Sequence, residues 1–226
     1  MSINKTELYN FLHDKNYRYL YHANTVVTSC SFIEQGGLLS RKETENRNLN
    51  QTPQDSDKKD KILGVYNDIF VDVLNLGQYY NRINYYGPIC FVMSIDMLLD
   101  ENLPDVHITV NNPIYITNPN NMYYNDVNDY INVFSQSLLN HTIQQKMITF
   151  KNCNDIIPFN PYLKEIIIEQ PYFTNDIIQN GLDTIKKCIQ NNNINAQIKH
   201  VCRNVNDNRD INPLFNPNYQ EQGELL

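Results

Sequence analysis

The chain has no long apolar run, little charge and no paired-cysteine motif, and each shortage removes a class of function. Its five cysteines, at positions 30, 90, 153, 188 and 202, form no C-x-x-C pair and no His/Cys cluster with metal-ligand spacing. An odd number of thiols in apolar settings predicts free cysteines in a reducing compartment, not a disulfide framework. No apolar stretch approaches the roughly 20 residues of a membrane span. The opening stretch MSINKTELYNFLHDKN carries no apolar signal core. The expectation is a cytoplasmic chain without membrane attachment.

Charged residues make up 19% of the chain and the net charge is -7, so no broad basic face is expected. That excludes tight duplex binding by phosphate neutralisation. The one small basic run, Lys58, Lys59 and Lys61, is interleaved with Asp55, Asp57 and Asp60. A local patch holding a short nucleic-acid substrate is still compatible with this charge. Five dispersed histidines offer no H-x-H or H-E-x-x-H arrangement, which leaves a metal-dependent hydrolase without ligands. No G-x-G-x-x-G or Walker loop is present either.

What the chain does have is a core. Hydrophobic residues reach 41% and aromatics 11% over 226 residues, enough for one domain, which we place at residues 1–203. The Asn-, Asp- and Pro-rich tail, 204–226, is expected to be loosely held. Periodicity predicts a helix over 6–15, a strand over 17–22, a helix over 25–35 stopped by Gly36-Gly37, and a long polar loop over 41–60. Strands follow at 69–74, 88–95, 106–110, 114–117, 146–150, 164–169 and 196–202, with helices over 126–140 and 174–190, the latter with a candidate interruption at Gly181. The 126–140 helix has a stripe of Val127, Tyr130, Ile131, Phe134 and Leu138. Strands and helices without regular alternation argue an α+β class.

Two residues break their local pattern. His22 closes an aromatic strand directly before a helix start, and Glu165 interrupts the aliphatic run 163–168. A carboxylate there either points outward by alternation or is held inward for a purpose. A histidine at a strand end is either a satisfied hydrogen-bonding group or a functional one.

The segment 21-YHANTVVTSCSFIEQGGLLSR-41 resembles the opening of DarT-like ADP-ribosyltransferases: a strand ending in an aromatic residue and histidine, a short helix, then a Gly-Gly-Leu-Leu-Ser turn. The later 163-LKEIIIEQP-171 resembles the strand carrying that family's catalytic glutamate. The resemblance implies an ADP-ribosyltransferase-like fold with a split mixed β-sheet core and peripheral helices. It implies NAD as co-substrate and no metal. Glu165 would stabilise positive charge developing on the sugar as nicotinamide leaves. His22 would hydrogen-bond a ribose hydroxyl or the carboxamide, with Asn24 and Thr25 adding polar contacts. Ser31 stands where the family usually has an asparagine. Arg41 would pair with the pyrophosphate or assist catalysis, with Arg47 as its competitor. The stacking ring is open between the pairs Tyr79-Tyr80 and Tyr85-Tyr86. The family further implies a toxin with a role in phage defence, modifying a nucleobase in RNA or single-stranded DNA and restrained by an antitoxin. A protein side chain as acceptor, or a catalytically silent domain binding a nucleotide or partner, are the alternatives.

Overall fold

Aliphatic side chains at every second position of the strands decide which side of the sheet is covered. The computed structural model describes residues 2–54, 56–140, 147–205 and 209–218, with backbone alone over 134–140. Seven strands form one sheet: β1 (Tyr19–Asn24), β3 (Ile69–Asp72), β4 (Ile89–Ser94), β5 (Val106–Ile108), β6 (Met147–Phe150), β8 (Leu163–Pro171) and β9 (Gln197–Arg203). Their order is β5-β6-β3-β1-β4-β8-β9. Two-residue strands β2 (Gly37–Leu38) and β7 (Ile157–Pro158) pair separately. The pairs are antiparallel except β8 with β9, which run parallel. A parallel pair needs a crossover, and α7 (Asp176–Asn191) supplies it. The sheet is therefore mixed.

Helix α2 (Val26–Gln35) starts at Thr25, whose hydroxyl caps it, and stops at Gly36, whose φ of 74° suits glycine. It packs against α7. Together with α1 (Lys5–Asp14) they cover the face presenting Leu20, Phe91, Met93, Ile166 and Ile168, which form the main core. The opposite face carries a smaller cluster of Ala23, Cys90, Val92 and Ile167, with Tyr21 and Tyr86 against it. All six residues of β4 are buried, as its continuous apolar run predicts for an interior strand.

Three expectations are corrected. The polar stretch 41–60 contains α3 (Arg41–Asn46) and the start of α4 (Asp57–Leu63). The Ser40 hydroxyl caps α3, and an Arg41–Asp57 ion pair ties the two helices, so side-chain bonds replace the missing apolar stripe. The predicted strand at 114–117 is a 3₁₀ turn, Pro113–Tyr115, because Pro113 cannot donate to a ladder and Asn112 caps the Ile114 N–H. Helix α5 (Leu76–Tyr80) is followed by Arg82, which bridges to Asn204, and the short helix α8 (Asn212–Phe215) packs on α7, with Ile211, Leu214 and Phe215 buried. Helix α7 is unbroken at Gly181, where a Cβ would meet the Phe215 carbonyl at 2.2 Å. Helix α6 (Val127–Asn140) matches its predicted span; the Phe134 and Leu138 side chains lie outside the described ones.

Candidate active site

The sheet divides where β1 meets β3. Strand β1 follows β4 along its whole length, but Tyr21 and Asp72 make the one register pair described between β1 and β3. Beyond that pair the strands separate, leaving a cleft between β5-β6-β3 and β1-β4-β8-β9. His22 bridges the gap. Its Nδ1 lies 2.8 Å from the Phe70 carbonyl oxygen. A carbonyl can only accept, so the proton sits on Nδ1 and Nε2 keeps a lone pair. Nε2 is buried and has no hydrogen-bond partner among the described residues. Burial lowers the imidazole pKa, outweighing the Phe70 bond that raises it, so the ring is neutral.

An inner cavity of about 140 Å³ is walled by His22, Asn24, Phe32, Arg41, Asp72 and Tyr86, among others. It adjoins an outer groove of about 710 Å³, sharing Gln54, Ser56, Tyr86, Asn112 and Ile114 as walls. Ligand sites run to roughly 300–1,000 Å³, so the inner cavity suits one ring and the outer groove a larger body. Gly87 lets the adjoining loop lie against β1. At φ 142° it brings the Tyr85-Tyr86 loop so close to β1 that a Cβ would lie 2.1 Å from the Asn24 carbonyl carbon.

The expected residues divide among several places. His22, Asn24 and Arg41 line the inner cavity, and Thr25 lines the outer groove. Asn24 is buried, its Oδ1 accepting the Thr25 N–H at 2.9 Å. The Thr25 hydroxyl is shared with Thr28 and with Thr52, the latter at 2.7 Å. Arg41 makes a two-pronged pair with Asp57, at 3.0 and 2.5 Å, and donates to the Thr52 carbonyl at 2.9 Å. Its guanidinium is thereby held at the cleft wall. Arg47 pairs instead with Glu43 and Asp155 and lines neither cavity. The Ser31 hydroxyl donates to the Asn50 carbonyl at 2.6 Å, and the residue lines neither space. Buried on α2, it holds the 41–60 segment in place.

Glu165 also lies outside the inner cavity. In-register residues of neighbouring strands share a face. His22, Phe91 and Ile166 are one such row, and Asp72, Tyr21, Val92 and Glu165 are the adjacent row on the other face. His22 and Glu165 thus project from opposite faces, and Glu165 does not line the cavity around His22. The cause is alternation: Ile166 and Ile168 enter the main core, which turns Glu165 the other way. Glu165 is half-buried, three strands from Asp72, or about 14 Å at the usual strand spacing. Between them, Tyr21 has its phenol pKa pushed up to about 12, chiefly by burial, with Cys90 and Glu165 adding to it.

Sequence reading missed Asp72. It is 5% exposed, and its Oδ1 has no hydrogen-bond partner among the described residues. Burial holds its carboxyl well above the usual carboxylate range. The signal was present as an aspartate between Val71 and Val73. Tyr86, also at the inner cavity, has its phenol raised by burial and then by the Asp72 charge, and its oxygen accepts from Asn112 Nδ2 at 2.6 Å. In the outer groove the Arg82 guanidinium lies 4.6 Å from the ring centres of both Tyr80 and Tyr85, and that of Arg209 lies 4.3 Å from Tyr85. Among the described residues, no group of three His, Cys, Asp or Glu side chains is placed to hold a metal ion, and no helix is long and apolar enough to cross a membrane.

A solved structure of Thermus sp. 2.9 DarT in complex with ADP-ribosylated single-stranded DNA superposes with a TM-score of 0.52, covering 82% of this chain and 95% of that one at 9% identity. The chain shares the DarT fold. A second structure, Thermus sp. 2.9 DarT in complex with NAD+, aligns over 84% of this chain and 96% of that one, at 11% identity and a TM-score of 0.46. No protein-family model and no curated protein matches the sequence. The α+β class and the mixed sheet expected from the DarT resemblance are those of the structure.

Proposed function

We propose that the chain transfers ADP-ribose from NAD+ to a nucleobase of single-stranded nucleic acid. One observation carries the reading: a cleft in a split sheet presents two buried polar atoms, His22 Nε2 and Asp72 Oδ1, that have no partner among the described residues. Such atoms are costly unless a ligand meets them. The DarT fold supports the choice of ligand, since the Thermus protein was solved with ADP-ribosylated DNA. In the reaction the bond between the sugar's anomeric carbon and nicotinamide breaks, a base atom bonds to that carbon, and the base's proton passes to solvent.

Each residue then has a task. His22 Nε2 accepts a hydrogen bond from a ribose hydroxyl or the carboxamide, and Asn24 fixes the same end of NAD+. Arg41, held by Asp57, faces the phosphates, while Thr25 contributes from the outer groove. Glu165 acts from the far end of the Tyr21 row, where a carboxylate stabilises charge building on the sugar. Tyr80, Arg82, Tyr85 and Arg209 suit an unstacked base and its phosphates, because rings stack on any base and guanidinium groups pair with phosphate. An altered base disturbs pairing, so such an enzyme harms its own host. The DarT resemblance adds to the proposal a toxin role, with a neutralising protein partner and cytoplasmic action on RNA or DNA.

A second reading, a nucleotide-binding domain without transfer activity, is favoured by the position of Glu165 outside the cavity lining. The discriminating experiment supplies labelled NAD+ with separate pools of single-stranded DNA, RNA and protein. We expect label on a nucleic-acid pool and none with Glu165→Gln. NAD+ binding without label in any pool selects the silent reading, and label on protein alone moves the acceptor. Full labelling by Glu165→Gln removes that residue from the chemistry.

A further inference from the structure

The inner cavity holds a carboxylate that the proposed transfer step does not use. Asp72 ends β3 at the point where the sheet splits, flanked in register by Tyr21 on one side and Met147 on the other. The cavity wall includes the apolar side chains of Phe32, Leu39, Val65, Ile69 and Met147. Among the described residues, the charged and titratable groups of the cavity wall supply no free cation. His22 is neutral, Arg41 is paired with Asp57, and Asp68 is paired with Lys151 at 2.6 Å. Tyr86 and Asp60 complete the set, and the Asp72 charge raises the pKa of both Tyr86 and Cys90.

A buried oxygen without a partner, in a ring-sized apolar cavity, is matched by a flat ligand that brings a positive charge or an N–H group. Oxidised nicotinamide joined to ribose is a cationic ring, whereas reduced nicotinamide has the same outline without the charge. We infer that Asp72 makes the inner cavity selective for the oxidised nicotinamide ring, so that the protein discriminates NAD+ from NADH. This inference rests on the proposed use of NAD+ and names the residue that reads its charge. Binding draws Asp72 into its ionised form, because a cation alongside favours the carboxylate. NAD+ binding therefore releases a proton wherever the free protein holds Asp72 protonated, and NADH binding does not.

The test is calorimetric titration of the intact chain with NAD+ and with NADH, each in two buffers of different ionisation enthalpy. The wild type should favour NAD+ by about ten-fold or more, the range of one charge-assisted contact, and should release protons with NAD+ alone. Asp72→Asn, of the same shape but without charge, should bring the NAD+/NADH ratio close to one and abolish the proton release. A discrimination that survives Asp72→Asn overturns the inference and leaves the NAD+ reading intact. Equal binding of both nucleotides by the wild type does the same. A wild type that binds neither nucleotide overturns both. Thermal melting of the variant checks its fold, and Asp72→Glu, which keeps the charge, should retain a preference for NAD+.

Discussion

Asp72 and His22 place opposite demands on the proton, and the pH dependence of stability should expose them. The Asp72 carboxyl is raised from an ordinary value of 3.8, so the folded chain holds a proton that the unfolded chain has released. Its contribution is fully present below the unfolded value and is lost as pH rises towards the folded one. The His22 imidazole is lowered from 6.5, so the unfolded chain binds a proton the folded one refuses. Its contribution is present above 6.5 and is lost as pH falls through the folded value. Between the two ordinary values the slopes have opposite signs and offset each other. Each has a limit of about 1.4 kcal/mol per pH unit. For a chain of this size that is roughly 3–6 °C of Tm per unit. The experiment is thermal melting of the wild type, Asp72→Asn and His22→Gln from about pH 5 to about pH 8. The Tm advantage of Asp72→Asn over wild type should grow as pH rises, while that of His22→Gln should shrink. Taking differences cancels the carboxylates common to all three proteins. A Tm difference for Asp72→Asn that is flat with pH would falsify the claim that this carboxyl is buried without a partner.

Three further outcomes follow from individual contacts. Gly87→Ala, which adds a methyl group at a positive φ against the Asn24 backbone, should cost at least about 2 kcal/mol and weaken NAD+ binding, read by melting and titration. Arg203→Met strips the buried Glu169 carboxylate of its cationic partner at 3.2 Å, leaving the Asn84 N–H bond, and denaturant unfolding should register a loss of about 3 kcal/mol. The reasoning fails if that variant is as stable as wild type. Arg41→Lys breaks the two-pronged pair with Asp57, so KM for NAD+ should rise several-fold while the melting temperature shifts by a few degrees at most.

The sequence disclosed the strands and helices wherever a period of two or 3.6 was strong, as in β4, α2 and α7. It disclosed less where side-chain caps and ion pairs replaced an apolar stripe, which is why α3 and α4 looked like loop. That His22, Asn24 and Arg41 belong together was legible because they fall in one contiguous segment, 21–41, whose helix is stopped by the Gly-Gly turn. Glu165 was legible as an anomaly, but not its direction, since the face a strand residue takes depends on which neighbours enter the core. Asp72 was overlooked for the converse reason: its strand was read for its apolar residues alone. That β1 and β3 would separate beyond Tyr21 and Asp72 is a property of pairing between distant segments, and no local pattern records it.

The imidazole of His22 stitches two halves of a sheet together with one of its nitrogens and offers the other to whatever enters between them. Any substitution at this position therefore loosens a seam and removes a ligand contact at once. Lost turnover in a His22 variant has two possible origins, and a measurement of how firmly the halves hold together, such as amide exchange along β1 and β3, separates them.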